Sequence, residues 1–151
     1  MTDVFDVVVV GGDRSAALLL GRCRRSVFLC DAGQPRNQAS IAVHGLLTHE
    51  GTRPSKLLAK GTELERYPSV EIHAKCVSEI KRSEAHFSIA CEDGFILKAR
   101  KILIATGLID EVPQLDGIER FYGRSVHHCP YCDAFEPRDQ PLAVYGVGAL
   151  R

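Results

Sequence analysis

The feature that most constrains the fold lies at the start of the chain, where a strand, a glycine turn and a helix follow one another. Asp6–Val10 is a β-branched apolar run that ends at Gly11-Gly12. Such a run predicts a strand buried on both faces that leads into a phosphate-binding turn. Arg14–Arg25 predicts a helix with arginines near its C-terminal end, the end that favours cations. The residues of this helix that are expected to point into the protein interior are Ala16, Ala17, Leu18, Leu19 and Leu20.

A second strand and an acidic residue complete the unit. Ser26–Cys30 predicts a buried strand, and Asp31 follows it directly. A dinucleotide fold places the acid that holds a ribose hydroxyl about 20 residues past the glycines. The order therefore predicts an α/β fold built on a Rossmann-like βαβ sheet. The alternative is an ordinary βαβ unit with an unrelated aspartate at its end.

The glycine turn departs from the dinucleotide pattern G-x-G-x-x-G. Counted from Gly11, the second and third glycine positions hold Asp13 and Ala16, and a count from Gly12 does no better. A carboxylate at the second position repels phosphates and blocks the close approach of the backbone. The bulk of Arg14 does not restore that approach. We expect a turn too short to cradle a dinucleotide in the usual way.

Residues 32–50 are mostly turn formers and polar residues, which predicts a ligand-lining loop over the sheet edge. His44 and His49 are candidates for function in this loop, and the alternative is that both are surface histidines. Thr52–Tyr67 then predicts a helix with Thr52 as its N-cap and Pro54 in its first turn.

After Pro68 the apolar period changes to two, which predicts a small antiparallel meander with a hairpin turn at residues 92–94. Its expected strand segments are Val70–Ala74, Val77–Ile80, Phe87–Cys91 and Phe95–Leu97. Lys101–Ala105 predicts a further buried strand, which ends in the small-residue turn Thr106-Gly107. A ligand or another backbone can lie close to such a turn.

Asp110–Arg124 has little periodicity and predicts a linker between two domains. Leu142–Tyr145 predicts a fresh strand that runs into Gly146-Val147-Gly148, the opening of a second dinucleotide turn. The chain ends at Arg151, before a helix that would hold phosphate. The uncovered segment Leu142–Val147 is expected to expose apolar surface, so we expect a homo-oligomer or aggregation.

Between these segments lies His127-His128-Cys129-Pro130-Tyr131-Cys132-Asp133, in which two thiols are separated by two residues. Such a pair closes a small disulfide ring or contributes half of a zinc site. A carboxylate directly after the second thiol, at Asp133, can pass a proton to a departing thiolate. A solvated loop carboxylate is the alternative for Asp133. The redox interpretation is favoured, because the spaced histidines of a Cys2His2 site are absent.

Composition excludes some classes of function. The 151 residues carry 19 basic and 19 acidic side chains, which favours neither a nucleic acid nor a membrane as partner. No secretory signal is visible, and the longest apolar run is too short to cross a bilayer, so we expect a soluble cytoplasmic protein. The remaining cysteines are expected to be buried free thiols of a cytosolic protein: Cys23, Cys30, Cys76 and Cys91.

The order of these features resembles the thioredoxin reductase family of flavin disulfide oxidoreductases, especially its thioredoxin-reductase-like bacterial branch. The most specific parts of the resemblance are Cys129–Asp133 in this context and Lys101–Gly107. The resemblance covers the whole chain but about the first half of a typical member. It implies an FAD-binding domain over 1–109, a linker over 110–124, and the truncated start of a NAD(P)H-binding and redox-disulfide domain over 125–151.

The resemblance also implies roles for individual residues. Cys132 would lie against the flavin ring, Cys129 would attack the substrate disulfide, and Asp133 would act as the acid. Electrons would pass from NADPH to FAD, then to the Cys129/Cys132 disulfide, and then to a thioredoxin-like protein or a small disulfide. No metal is implied. The residues implied for the FAD site are Gly11, Gly12, Asp31, Ala105, Thr106 and Gly107.

Two departures from the family pattern bear on function. The glycine loop is shorter than that of members by about three residues, which weakens the expected FAD site. Members also continue well beyond residue 151, through the NADPH domain, so NADPH is not expected to bind this chain. The expected function is a flavin-dependent disulfide oxidoreductase or its N-terminal part. The alternative is a non-catalytic remnant, or a C-x-x-C thiol or zinc-binding module without a cofactor.

Overall fold

Six strands form one sheet in a computed structural model that describes residues 4–146, apart from the side chains of Thr62 and Glu65. The strands are β1 (Val4–Val10), β2 (Val27–Cys30), β3 (Val70–His73), β4 (Val77–Arg82), β5 (Phe87–Cys91) and β6 (Ile96–Ile104). The helices are α1 (Arg14–Arg22), α2 (Pro54–Lys60), α3 (Ile118–Phe121) and α4 (Pro130–Asp133), and a 3-10 helix spans Gly61–Arg66. Across residues 4–146, no helix has the length and apolar character needed to cross a membrane.

The sheet is mixed, in the order β3-β2-β1-β6-β5-β4. β1 pairs in parallel with both β2 and β6, and β2 pairs in parallel with β3. β5 pairs antiparallel with β6 and with β4, which forms the meander. The predicted Rossmann-like α/β sheet with an inserted meander is therefore confirmed. The four parallel strands end at one edge, so the residues that follow β1, β2 and β6 come together there.

Both faces of β1 and β2 are buried, as their continuous apolar sequence predicts. Neighbouring side chains on a strand point to opposite faces of the sheet, so β1 and β2 each contribute side chains to two separate hydrophobic clusters. One cluster joins these strands to the meander and contains Val8, Val10, Phe28, Cys30, Ile89, Cys91, Leu97 and Ala99. The other lies under α1 and the 3-10 helix and contains Val9, Ala17, Val27, Leu29, Leu64 and Val70.

The expected division between meander and parallel sheet is wrong in two places. β3 pairs in parallel with β2, so it is not a strand of the antiparallel meander. The segments predicted at Phe95–Leu97 and Lys101–Ala105 fall largely in one strand, β6. Its residues 96–99 pair with β5, and its residues 98–104 pair with β1. Ile104 is exposed, so the end of that strand is not buried as expected. The spacing of apolar residues along the chain does not predict these pairings, because it carries no information about which strands are neighbours in the sheet.

The first predicted helix is shorter and less buried than expected. It ends at Arg22 because Arg24 adopts a left-handed conformation, with φ 57°, and the N–H of Arg25 donates to Leu20 O at 3.1 Å. Leu18 and Leu19 are exposed, which corrects the expectation that they lie inside. The helix turns a narrow face of small residues to the sheet and buries Ala17 and Gly21.

The second predicted helix is divided, and its cap is wrong. α2 begins at Pro54 with Arg53 as its N-cap, while Thr52 forms a β-bridge with Val43. At Gly61 the chain tightens into the 3-10 helix, whose cap residue is Tyr67. The weak helix propensity of glycine agrees with a change of helix type at this position.

Two further expectations need correction. Cys30 and Cys91 are buried free thiols as predicted, but Cys23 and Cys76 are exposed, because they follow a helix end and precede an outer strand. Residues 142–145 form no strand, so the strand predicted there is wrong. A strand exists only where it pairs with another strand, and residues 142–145 pair with none of the six strands of the sheet. Val147 and Gly148 of the second glycine turn lie outside the described residues.

The packing predicts a large difference between two isoleucines of the meander. Ile89 is 0% exposed and Ile96 is 56% exposed. We expect Ile89→Ala to lower the free energy of unfolding by about 2–5 kcal/mol, because it leaves a cavity in the core. The matched control Ile96→Ala should change it by less than about 1 kcal/mol. Urea unfolding followed by circular dichroism measures both, and equal losses would contradict this packing.

Candidate functional site

The residues after β1, β2 and β6 meet at the carboxyl edge of the sheet. The N–H of Gly11 donates to Cys30 O at 2.8 Å, and the N–H of Ala105 donates to Val10 O at 2.7 Å. Gly11 has φ 109°, and a Cβ there would lie 2.0 Å from Ala105 O, so only glycine fits. The implied FAD-site residues Gly11, Ala105 and Thr106 are thus in contact. Gly107 follows them, with no atom within 4 Å of where its Cβ would be.

The carboxylate of Asp13 caps α1. The N–H of Ala16 donates to Asp13 Oδ1 at 3.0 Å. The N-terminus of a helix attracts anions through its free N–H groups and the helix dipole, and this is where a dinucleotide fold holds pyrophosphate. In this chain the position already has an anion, because Asp13 supplies one.

Arg14 forms an ion pair with Asp31, the acid expected to hold a ribose. Arg14 Nη2 lies 3.0 Å from Asp31 Oδ2, and the N–H of Gly33 donates to Asp31 Oδ1 at 2.9 Å. A Cβ on Gly12 would lie 3.3 Å from Asp31 Oδ2, so the turn also lies close to this carboxylate. Both oxygens of Asp31 are therefore engaged by the chain itself.

These contacts test whether the turn suits FAD. A bound dinucleotide needs free N–H groups at the start of α1 and a free acid at the end of β2. Here Asp13 accepts the hydrogen bond of one of these N–H groups, that of Ala16. Arg14 pairs with the acid, Asp31. The residues present do not fit the adenosine and pyrophosphate part of FAD.

The thiol pair lies on the short helix α4. Cys129 is its N-cap residue and Pro130 occupies its first turn, where a missing N–H costs no hydrogen bond. The N–H groups of Cys132 and Asp133 donate to Cys129 O at 3.2 and 3.3 Å. Cys129 and Cys132 form a disulfide with a Cα–Cα distance of 5.3 Å. Within residues 4–146, no group of three or more histidines, cysteines and carboxylates is placed to bind a metal ion.

Asp133 directly follows the thiol pair in the chain, and its carboxylate lies near an imidazole. Its side chain is only 15% exposed, and its Oδ2 lies 3.9 Å from His127 Nδ1. That nitrogen is buried and has no hydrogen-bond partner. The separation is too long for a hydrogen bond, but one bridging water or a small side-chain movement would join the two groups. The pair Asp133 and His127 can therefore hold or move a proton on the segment that carries the two cysteines.

A charged network holds the thiol segment, residues 127–136, against the loop after β2. Arg36 Nε donates to Asp110 Oδ2 at 2.8 Å, and this guanidinium keeps the pKa of Asp110 below its usual value. Tyr122 OH lies 3.0 Å from His128 Nδ1 and donates to Asp110 Oδ2 at 3.4 Å. His128 directly precedes Cys129. Sequence patterns do not predict this network, because Arg36 and Asp110 are distant in sequence and belong to no short motif.

A second contact joins the thiol segment to the loop that contains His44. His44 Nδ1 lies 2.6 Å from Glu50 Oε1 and 3.4 Å from Glu136 Oε1. The hydrogen bond with Glu50 raises the pKa of His44, and the charges of Glu136 and Asp133 raise it further. His44 is therefore brought to the thiol segment.

The other candidate histidine of this loop is placed elsewhere. His49 Nδ1 lies 2.9 Å from Thr48 Oγ1, and its Nε2 lies 3.3 Å from Lys60 Nζ. These contacts join His49 to α2 and to its own loop. The thiol segment is thus reached by His44 and not by His49.

The sequence and the fold are similar to those of known redox proteins. A curated relative named as a probable thioredoxin reductase, from Arthroderma benhamiae, is 36% identical in an alignment that covers 94% of this chain and 38% of the relative. The crystal structure of an oxidoreductase from Agrobacterium tumefaciens is 35% identical with a TM-score of 0.83, over 90% of this chain and 48% of that one. A putative thioredoxin reductase from Bacillus anthracis is 36% identical with a TM-score of 0.85, over 91% and 48%.

The chain spans about half or less of the length of the first curated relatives that it matches. Residues 5–150 match the sequence model of the family described as pyridine nucleotide-disulphide oxidoreductase. This match covers nearly the whole chain, including the carboxyl edge of the sheet and the C-x-x-C helix α4, and therefore identifies the family. The chain belongs to the pyridine nucleotide-disulphide oxidoreductases, among which it is thioredoxin-reductase-like.

Proposed function

We propose that this chain carries the thiol–disulfide exchange site of a thioredoxin-reductase-like oxidoreductase. The observation that supports this most is the Cys129–Cys132 disulfide on α4, followed directly in the chain by Asp133, whose carboxylate is largely buried. The substrate is a thioredoxin-like protein or a small disulfide. Tyr131, which is 97% exposed, and the exposed Phe135 give the pair an apolar border that suits contact with a partner.

The exchange moves two electrons and two protons. In the reduced pair, the Cys129 thiolate attacks one sulfur of the substrate disulfide, forms a mixed disulfide and releases a substrate thiolate. Asp133 gives that thiolate a proton and regains one from the Cys132 thiol. The Cys132 thiolate then attacks Cys129 Sγ and releases the second substrate half as a thiolate, which takes from solvent the proton that Cys129 gave up when it ionised. The pair ends as a disulfide and the substrate as two thiols.

The order of the two thiols is a proposal taken from the family. Cys132 is the more exposed residue of the pair and Cys129 is half-buried. Exposure alone favours Cys132 as the attacking thiol, whereas the family pattern assigns that role to Cys129 and places Cys132 against the flavin. Single variants distinguish the two assignments.

The family depends on FAD and NADPH, which supply electrons as hydride through the flavin. In the family, the path runs from NADPH through FAD to the thiol pair. Because the turn of this chain does not fit FAD, thiol exchange by the Cys129–Cys132 pair is tested with dithiothreitol as the added reductant. The closed turn favours a second candidate, a thiol-exchange module that works without a cofactor. Flavin content, and reduction of the pair by NADPH or by dithiothreitol alone, separate the two.

The exchange predicts the behaviour of cysteine variants. With dithiothreitol as reductant and a coloured aromatic disulfide as substrate, we expect Cys129→Ser and Cys132→Ser to lower the rate to that of dithiothreitol alone, because each removes one of two thiols that act as a unit. Cys132→Ser should retain the mixed disulfide with substrate, which mass spectrometry detects. The exposed thiols outside the pair give matched controls, Cys23→Ser and Cys76→Ser, which should keep the full rate. Trapping by Cys129→Ser instead would reverse the assignment of the two thiols, and full activity of both variants would refute the site.

The His44 contact predicts a pH dependence. The raised pKa of His44 means that its pairing stabilises the fold below the ordinary value of 6.5 and is lost as pH rises through the folded value. The lowered pKa of Glu50 means that its pairing is present above the ordinary value of 4.5 and is lost as pH falls. The contact should therefore be strongest between these limits. We expect the His44 ring to titrate above 6.5 in NMR spectra, and His44→Gln to abolish the matching shift of the Gly45 amide, which donates to Glu50 Oε2.

His49→Gln is the control for that measurement, because it lies in the same loop and contacts neither carboxylate. It should leave the Gly45 titration unchanged. A His44 midpoint at or below 6.5 would show that Glu50 and Glu136 do not hold this ring in solution.

We also propose that the chain self-associates. Val144 is 78% exposed, and Leu142 and Tyr145 are exposed beside it. Light scattering should give a mass above that of a monomer, because this apolar stretch gains by burial in a contact with another copy. Leu142→Ser with Val144→Ser should lower that mass, whereas the exposed control Leu47→Ser should not. A monodisperse monomer for the unaltered chain would refute the proposal.

A further inference from the structure

The side chain of Arg14 crosses the carboxyl edge of the sheet, between Asp31 and the start of the 3-10 helix. Its Nη2 lies 3.0 Å from Asp31 Oδ2. A Cβ on Gly61 would lie 2.1 Å from Arg14 Cδ and 2.7 Å from its Nε. The absence of a side chain at Gly61 therefore leaves the space that Arg14 fills.

The carboxylate of Asp31 has no free oxygen at this edge. A dinucleotide fold uses this acid to accept hydrogen bonds from a ribose. Here Oδ2 faces Arg14 and Oδ1 accepts from the N–H of Gly33 at 2.9 Å. A ribose hydroxyl would have to compete for Asp31 with the guanidinium, whose charge-assisted hydrogen bond is roughly twice as strong as a neutral one.

The start of α1 already holds a negative charge as well. Asp13 Oδ1 accepts the N–H of Ala16 at 3.0 Å. A pyrophosphate brought to the same helix end would face the charge of this carboxylate, and the short turn places Asp13 where a glycine would let the backbone approach. Both polar ends of a nucleotide thus meet a side chain that already takes their place.

We propose that Asp13 and Arg14 are internal substitutes for a nucleotide. Asp13 takes the place of the pyrophosphate at the N-terminus of α1, and Arg14 takes the place of the ribose on Asp31. The sheet edge is thereby closed, and the chain folds without a bound dinucleotide. This goes beyond the proposed function, because thiol exchange at Cys129 and Cys132 does not use this edge.

Arg14 replaces the nucleotide only in part, and this has a consequence for stability that can be measured. Nε and Nη1 of Arg14 are buried without a hydrogen-bond acceptor, so the ion pair with Asp31 is the contact that offsets the burial of the guanidinium. Removal of either partner leaves the other half-buried and unpaired. The two residues should therefore be strongly coupled in stability.

A double-mutant cycle tests the coupling. We expect Arg14→Ala and Asp31→Ala each to lower Tm by about 2–4 °C or more, and the double variant to lower it by clearly less than the sum. The control cycle uses Arg66→Ala and Glu63→Ala, an ion pair of 2.9 Å between exposed side chains. That pair should be additive, because solvent screens it. Coupling between Arg14 and Asp31 no greater than in the control would overturn the proposal.

Nucleotide binding tests the closure itself. Isothermal titration calorimetry of the intact chain with ADP, which contains the adenosine and pyrophosphate part of FAD, should show no saturable binding. A variant with Gly-Pro-Ala-Gly-Leu in place of Asp13 and Arg14 restores G-x-G-x-x-G and should bind ADP at least about tenfold more tightly. FAD added to the unaltered chain should leave Tm unchanged.

Several outcomes would overturn the proposal. They are purification of the unaltered chain with stoichiometric flavin, ADP binding by the unaltered chain, and failure of the restored loop to bind more tightly than the original. The same titrations on Cys129→Ser should match those on the unaltered chain. A failure of thiol exchange is thereby kept distinct from a failure of nucleotide-site closure.

Discussion

The parallel pairing of β1 with β2 on one side and β6 on the other is the constraint on which the other features depend. It brings Val10, Cys30 and Ile104 to one edge, so that Gly11, Asp31 and Ala105 follow side by side. Both faces of β1 are buried, and a shift of register would exchange the residues on its two faces. Burial therefore fixes which groups meet at the edge, and the chemistry of the edge is a consequence of the core.

Electrostatic contacts place the thiol segment on that scaffold. The network of Arg36, Asp110, Tyr122 and His128 holds it on one side, and the His44 contact with Glu136 holds it on the other. These groups are half-buried or exposed, so each contact contributes modestly. Several weak contacts on two loops suit the substrate-receiving role proposed for this segment. The carboxyl edge of the sheet is different. The ion pair of Arg14 and Asp31 there is partly buried, and two nitrogen donors of Arg14 have no hydrogen-bond acceptor.

The sequence predicts those elements whose information is local. The strand β1, the start of α1, the glycine at position 11 and the C-x-x-C pair each follow from a pattern of a few residues. The pairing of β3 with β2 and the continuity of β6 do not follow from such patterns, because strand partnership depends on residues far apart in the chain. The exposure of Leu18 and Leu19 has the same origin, since only the fold shows which face of α1 meets the sheet.

For this protein, the sequence by itself determined the family, the α/β class and the defect in the glycine turn, because these are written in contiguous motifs. The tertiary structure alone decided what fills the defect. The ion pair of Arg14 and Asp31, the cap by Asp13 and the room left by Gly61 depend on the folded sheet edge. A side chain can replace a ligand only where folding brings a matching charge within hydrogen-bonding distance, and no local pattern records that distance.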